Sequence, residues 1–313
     1  MIKCTKILAM TCAAVLALSG CKEGADSQVS SKMVSLEHVR GTTQIPEHPQ
    51  KVIIFDMALL DTLDLLGVEV AGVPQASTSF PKNIAKYKDP KYINAGTLFE
   101  PNFENISNAN PDLIIGSGRA EKAFSELEKI APTIDLSLDN SHFLESLKAR
   151  AQTAGKIFGK EAQAAKQIEL LDQSIEKTKE KSSQAGTALV LMISGGKISA
   201  YGPGSRFGFV FDSLSFKPAA NFPSEGRHGN VVSPEFILET NPDWIFVIDR
   251  DTAIGESEAN AAAKKVLDNQ LINKTKAQEN NHIIYLDSPA LYIAGGLRTY
   301  QELVKQIDEV LSK

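Results

Sequence analysis

Two distant stretches of the chain repeat one pattern. Asn110-Pro-Asp-Leu-Ile-Ile-Gly-Ser-Gly-Arg119 returns as Asn241-Pro-Asp-Trp-Ile-Phe-Val-Ile-Asp-Arg250, and Glu104 and Ile106 upstream of the first are matched by Glu235 and Ile237 at the same offsets. Each copy reads as helix, turn, buried strand, arginine. Pro234 after Ser233 is a favourable first helical position, and Asn-Pro-Asp closes the helix and opens the strand. A chain that builds this unit twice is expected to fold as two lobes of like architecture. Within the first lobe, Lys51–Asp56 is an apolar strand, Ala58–Leu66 carries leucines at helical spacing up to Gly67, and Val68–Pro74 is a strand again. That alternation predicts α/β packing on parallel sheets.

Between the copies, Ala162, Ala165, Ile168, Leu171 and Ile175 keep helical register among Lys, Glu and Gln from Lys160 to Ser183. The spacing predicts one amphipathic helix of roughly 36 Å, a stiff rod between the lobes. Gly159 separates it from an earlier helix near 142–157. Beyond it, strands are expected at Thr187–Ile193, Trp244–Ile248 and His282–Leu286, and helices at Phe207–Leu214 and Thr299–Leu311. At 313 residues the chain is long enough for two modest cores. The expected organisation is a leader at 1–20, a tether and lead-in at 21–45, a first lobe at 46–159, the connecting helix at 160–183 and a second lobe at 184–313.

The start of the chain bears on compartment. Lys3 and Lys6 precede an apolar run from Ile7 to Leu18 that ends in Leu18-Ser-Gly-Cys21, the layout of an export signal. Leu-Ser-Gly-Cys resembles a bacterial lipobox, in which Cys21 is acylated and becomes the first mature residue, so that lipid anchors the protein to the membrane. Cys4 and Cys12 lie within the leader, which leaves Cys21 alone in the mature chain and no disulfide to form. Residues 22–36 are small and polar, the composition of a flexible tether. Losing Lys3 and Lys6 takes the formal charge from −5 to −7, and with no basic tract nucleic acid is not an expected partner.

In open α/β sheets ligands bind beyond the carboxyl ends of the strands. Arg119 and Arg250 emerge there, one from each copy of the repeat, and are expected to face each other across a cleft. Arg206 joins them after the Tyr201-Gly-Pro-Gly204 turn. A single arginine is usually an exposed ion-pair partner. Three at matching strand and helix ends suit an anionic, aromatic ligand, through charge-assisted hydrogen bonds and stacking on guanidinium planes. The patterns Gly-x-Ser-x-Gly, phosphate-binding Gly-rich loop with lysine, and His-Glu-x-x-His are all missing from the sequence, so little favours an enzyme.

Two α/β lobes, one long connecting helix, a lipobox and paired acids at helix starts together resemble the class III periplasmic binding proteins of ABC importers. Gly204-Ser-Arg-Phe-Gly208, Arg227-His-Gly229, Ser233-Pro-Glu-Phe-Ile-Leu238, Asp249-Arg250, Lys274-Thr-Lys-Ala277 and Ile284-Tyr-Leu-Asp287 resemble the branch that binds ferric catecholate siderophores. The resemblance implies a monomeric, lipid-anchored protein on the periplasmic face of a membrane, or on the cell surface of a single-membrane organism. It would have no intrinsic cofactor and would deliver an Fe(III)-siderophore complex to a permease dimer in the inner membrane.

Residue by residue, the resemblance makes Arg119, Arg206 and Arg250 ligand-binding groups. His228 and Tyr292 become direct iron ligands when a tetradentate siderophore leaves two coordination positions open. Phenolate is a hard donor suited to Fe(III), and imidazole an acceptable second. Glu104 and Glu235, one per lobe, become the carboxylates that dock onto permease arginines, a pairing that suits a two-fold partner. The chain departs from the branch at Ser288-Pro-Ala-Leu291, where relatives carry aromatic residues, yet it keeps the offset from Tyr285 to Tyr292. His38, His48, His142 and His282 have no such context. Rival readings are a receptor for haem or a corrinoid, a zinc or manganese receptor, and a hydrolase acting on siderophores.

Overall fold

All six residues of the strand Trp244–Asp249 are buried, which requires sheet neighbours on both sides and cover on both faces. The computed structural model, which describes residues 32–222 and 228–313, supplies them. The strands Thr187–Ser194 and Ile283–Tyr285 flank it in parallel. Lys197–Tyr201 and Asn230–Val232 extend the same sheet antiparallel beyond Thr187–Ser194, while Lys217–Pro218 pairs with the start of that strand. A second sheet is parallel throughout, in the order Ile93–Asn94, Gly72–Val73, Val52–Ile54, Leu113–Ile115, Thr133–Ile134. Each sheet belongs to one lobe of an α/β fold.

The repeated segment has the same construction in both lobes. Asn102 Oδ1 caps the helix Phe103–Ala109 at Asn105 N, and Ser233 Oγ caps Pro234–Thr240 at Phe236 N. Each helix ends on an asparagine in the left-handed region, Asn110 at φ 48° and Asn241 at φ 41°, a conformation asparagine tolerates better than most side chains. The aspartates two residues later then tie down the neighbouring strands. Asp112 accepts from Gln50 N and Lys51 N at 2.8 and 2.9 Å, just before Val52–Ile54, and Asp243 accepts from Thr187 N at 2.8 Å. The Asn-Pro-Asp motif therefore terminates a helix and sets the start of the adjacent strand.

Glu161–Ser182 is a continuous helix, 22 residues and about 33 Å long. Gly159, in the left-handed region, ends the preceding helix Phe143–Phe158. The last helix, Leu297–Val310, packs along the connecting helix and also against the first lobe's Met57–Leu65. Just before it, the chain crosses the seam between the lobes. Leu291 joins the core of the second lobe, whereas Ile293 and Ala294 join that of the first, and Tyr292 packs against both.

Several expectations are revised. The leader, Cys21 and residues up to 31 lie outside the described residues, as do 223–227 just before His228. Residues 33–36, expected within a tether, instead belong to an antiparallel hairpin of Met33–His38 with Gly41–Pro46, because Val34 and Leu36 alternate toward the first core. The strand expected over Val68–Pro74 shortens to Gly72–Val73, and the helix expected over Phe207–Leu214 to the single turn Phe209–Asp212. Tyr292 sits in a π-helical turn, Ala290–Ala294.

Candidate functional site

A cleft of about 510 Å³ opens where the seam segment meets both lobes, a size in the range of small-ligand sites. The first lobe contributes Asp56, Ser117 and Arg119, the second lobe Arg206 and Phe207, and the seam Tyr292. Asp56 follows the strand Val52–Ile54 and caps the next helix, with Oδ1 accepting from Leu59 N at 2.9 Å. Arg119 lies four residues beyond the strand Leu113–Ile115, in the 3-10 turn Gly118–Ala123. Arg206 follows the turn at Gly204, whose N–H donates to Asp212 Oδ2 at 2.8 Å.

Three arginines converge on Tyr292. Arg119 Nη2 and Arg206 Nη2 both donate to its backbone carbonyl at 2.8 Å, and Arg119 Nη1 donates to Ile293 O at 3.3 Å. Arg250 Nε donates to the phenol oxygen at 2.9 Å while its Nη1 reaches Ser194 Oγ at 3.3 Å. The guanidinium of Arg206 also lies over the tyrosine ring, 4.7 Å from its centroid, and that of Arg250 at 5.6 Å. Arginines from opposite lobes thus meet on one residue of the seam.

The electrostatics follow from that crowding. Burial, and then the Arg206 charge, lower the pKa of Arg119, whereas the Tyr292 hydrogen bond raises that of Arg250. Two guanidinium groups held on one carbonyl leave other N–H donors free and create a positive potential at the wall of a partly desolvated cleft. An anion bearing several oxygens is the ligand such a wall favours.

Arg119, Arg206, Arg250 and Tyr292 are brought together, although Arg250 reaches the site through the phenol and is not among the residues that line the cleft. Its chain offset matches that of Arg119, but it directly follows Asp249 and opens a helical turn, so the two arginines leave their sheets at different heights. His228 is exposed and outside the lining, on a segment whose preceding five residues are not described. Glu104 and Glu235 are exposed in the first turns of equivalent helices. The lining residues Asp56, Ser117 and Arg150 were not anticipated. A signal existed for two of them: Asp56 ends an apolar strand, and Arg150 interrupts the apolar face formed by Leu147, Ala151 and Ala154.

Two lobes joined by one long helix, with a cationic cleft at the seam, are the architecture of a substrate-binding protein. The chain belongs to the periplasmic binding protein family, which it matches over residues 52–290. It is 41% identical to the petrobactin-binding protein YclQ of Bacillus subtilis, over 93% of this chain and 92% of that protein. The crystal structure of YclQ superposes with a TM-score of 0.85, at 40% identity, covering 90% of this chain and all of that one. The ferric-anguibactin-binding protein FatB of Vibrio anguillarum is 33% identical over 97% of this chain and 96% of its own length. The periplasmic catecholate-siderophore binding protein VctP of Vibrio cholerae gives a TM-score of 0.81 at 34% identity, covering 89% of this chain and all of VctP.

Proposed function

We propose that this protein is the substrate-binding component of an ABC importer and that it carries a ferric catecholate-type siderophore in the cleft between its lobes. The observation that carries the reading is the convergence of Arg119, Arg206 and Arg250 on Tyr292. A ferric catecholate is an anion with aromatic faces, so it can use both the charge and the guanidinium planes. The names of YclQ, FatB and VctP, all binders of iron-carrying molecules or of siderophores, point the same way. A bare divalent cation would be repelled by this cleft. A corrinoid would leave most of the cationic wall unmatched, haem would engage it only through the two propionates at its edge, and the family's binding proteins give no support to the hydrolase reading.

Within this reading Tyr292, with its phenol oxygen already at the arginine cluster, is one iron ligand for a tetradentate siderophore, and His228 is the second. Cys21 carries the lipid, the mature protein is a monomer on the periplasmic face of the membrane, or on the cell surface of a single-membrane organism, and Glu104 and Glu235 meet basic residues on the permease dimer. Among the described residues no helix is long and apolar enough to cross a membrane. A titration panel tests the reading: ferric catecholates of differing denticity should bind tighter than ferric hydroxamates, haem and cobalamin. Tighter binding of haem or cobalamin than of every ferric catecholate would overturn it.

A further inference from the structure

The floor of the cleft holds a fourth arginine. Arg150 rises from the helix Phe143–Phe158, and its side chain is only 4% exposed. One nitrogen, Nη1, pairs with Asp56 Oδ2 at 3.2 Å. Among the described residues the other two polar groups, Nε and Nη2, have no hydrogen-bond partner, and neither does Ser117 Oγ, which lines the same cleft. Buried donors without partners cost stability, so a fold that keeps them at the edge of a ligand site retains them against the usual trend.

The chemistry of the vacant positions is specific. Nε–H and Nη2–H lie on the same side of a guanidinium plane and form the fork that takes both oxygens of a carboxylate. Asp56 occupies only the far nitrogen, and its other oxygen is committed to Leu59 N, so it cannot turn to fill the fork without uncapping its own helix. A catecholate oxygen, spent on iron, is a poorer match to two parallel donors than a carboxylate is.

We propose that Arg150 is a specificity-determining residue whose Nε/Nη2 fork binds a carboxylate carried by the ferric complex, with Ser117 Oγ as an additional donor. The proposal rests on the siderophore reading above and narrows its substrate class to iron complexes that present a carboxylate toward the first lobe. Arg119, Arg206 and Arg250 then hold the iron centre from the seam, and Arg150 reads the organic scaffold from below.

The test uses the full chain and two ferric bis-catecholates of equal denticity, one with a carboxylate on its spacer and one with that group capped as a primary amide. Wild type should prefer the carboxylate form by roughly ten-fold or more, the worth of a bidentate charge-assisted pair. Arg150→Met and Arg150→Lys should both bring the ratio of the two affinities toward one, the lysine variant because it keeps the charge beside Asp56 and lacks the fork. A purely structural role would weaken both ligands together and leave the ratio unchanged, which overturns the proposal, and the lysine variant gives the answer if the methionine variant does not fold. Equal binding of the two complexes by wild type sinks the Arg150 assignment alone, whereas binding of neither removes the siderophore reading with it.

Discussion

Asp61 offers a measurement of how the seam is held together. It sits in the helix Met57–Leu65 and accepts from Thr299 N at 3.0 Å, while its neighbour Thr62 accepts from Leu297 N at 3.0 Å. Two side chains of the first lobe therefore cap the first turn of the last helix, immediately after the segment that carries Tyr292. The carboxyl is fully buried, and burial pushes its pKa up from 3.8 to about 6, against the Thr299 hydrogen bond and the Arg298 charge, with Glu302 adding to the rise. A rise of that size corresponds to about 3 kcal/mol between the protonated and ionised forms.

Between pH 4 and 6 the unfolded chain has already released the Asp61 proton while the folded protein still holds it, so this group lowers stability as pH rises through that window, and above 6 the penalty is complete. Asp61→Asn removes the charge and keeps an acceptor for Thr299 N. Its amide nitrogen takes the place of the carboxyl oxygen that accepts from Asn83 Nδ2 at 2.5 Å, so the Asn83 side chain must turn over and present its own Oδ1 as the acceptor. The expected result is a variant that matches wild type near pH 4 and exceeds it by about 1–3 kcal/mol at pH 7.5, after allowing for the weaker neutral acceptor. Chemical denaturation of both proteins across this range isolates the group. Carboxylates such as Asp308, held below its ordinary range by Lys177 and Lys181, tilt stability the opposite way but cancel in the difference. Parallel stability profiles for the two proteins would refute the argument that a desolvated carboxyl caps the last helix.

Replacing Arg119, Arg206 or Arg250 singly by methionine should weaken a ferric catecholate by about 10–100-fold, the range for a charge-assisted hydrogen bond, and the triple variant should lose more than any single one by isothermal titration. With a tetradentate ferric bis-catecholate, Tyr292→Phe and His228→Ala should each shift the ligand-to-metal absorption band, and unchanged spectra in both would remove direct iron ligation while leaving the arginine site in place. Gly296→Ala should destabilise the protein by about 1–3 kcal/mol in thermal unfolding, because the added Cβ would lie 2.1 Å from Ala58 O and 2.5 Å from Asp61 Oδ2. The double variant Glu104→Ala/Glu235→Ala should lose uptake in a reconstituted importer while siderophore titration still reports a formed cleft, and normal uptake would end the docking assignment.

Much of the fold was written in local pattern. Trp244–Asp249 is an unbroken apolar run because it is covered on both faces, and Glu161–Ser182 shows its buried side as Ile168, Leu171 and Ile175. The paired asparagines were legible as turns, but the strand-pinning work of Asp112 and Asp243 was not, since it depends on partners some 60 residues away. The hairpin at 33–46 escaped notice because its alternation is short and follows a polar stretch. The π-helical turn escaped for a different reason: Ser288-Pro-Ala-Leu291 has no period of its own, and its geometry is imposed by two cores that claim Leu291 and Ile293 from opposite sides. Site residues announced by strand ends could be found in sequence, whereas Arg150 was hidden inside a helix, where a charged residue on an apolar face is the only clue.

That distribution explains why Tyr292, rather than any arginine, is the centre of the cleft. Its carbonyl gathers one guanidinium from each lobe, and its ring offers a face to Arg206. Its phenol oxygen accepts from Arg250 and still has lone pairs to offer. A guanidinium donating to that oxygen stabilises the negative charge a metal-bound phenolate would carry, so Arg250 need not touch the siderophore to influence the iron. Because the same residue is anchored in the cores of both lobes, a change in their separation moves the ring, the carbonyl and the arginines on them together. The cationic site and the two hydrophobic cores therefore meet in one short turn.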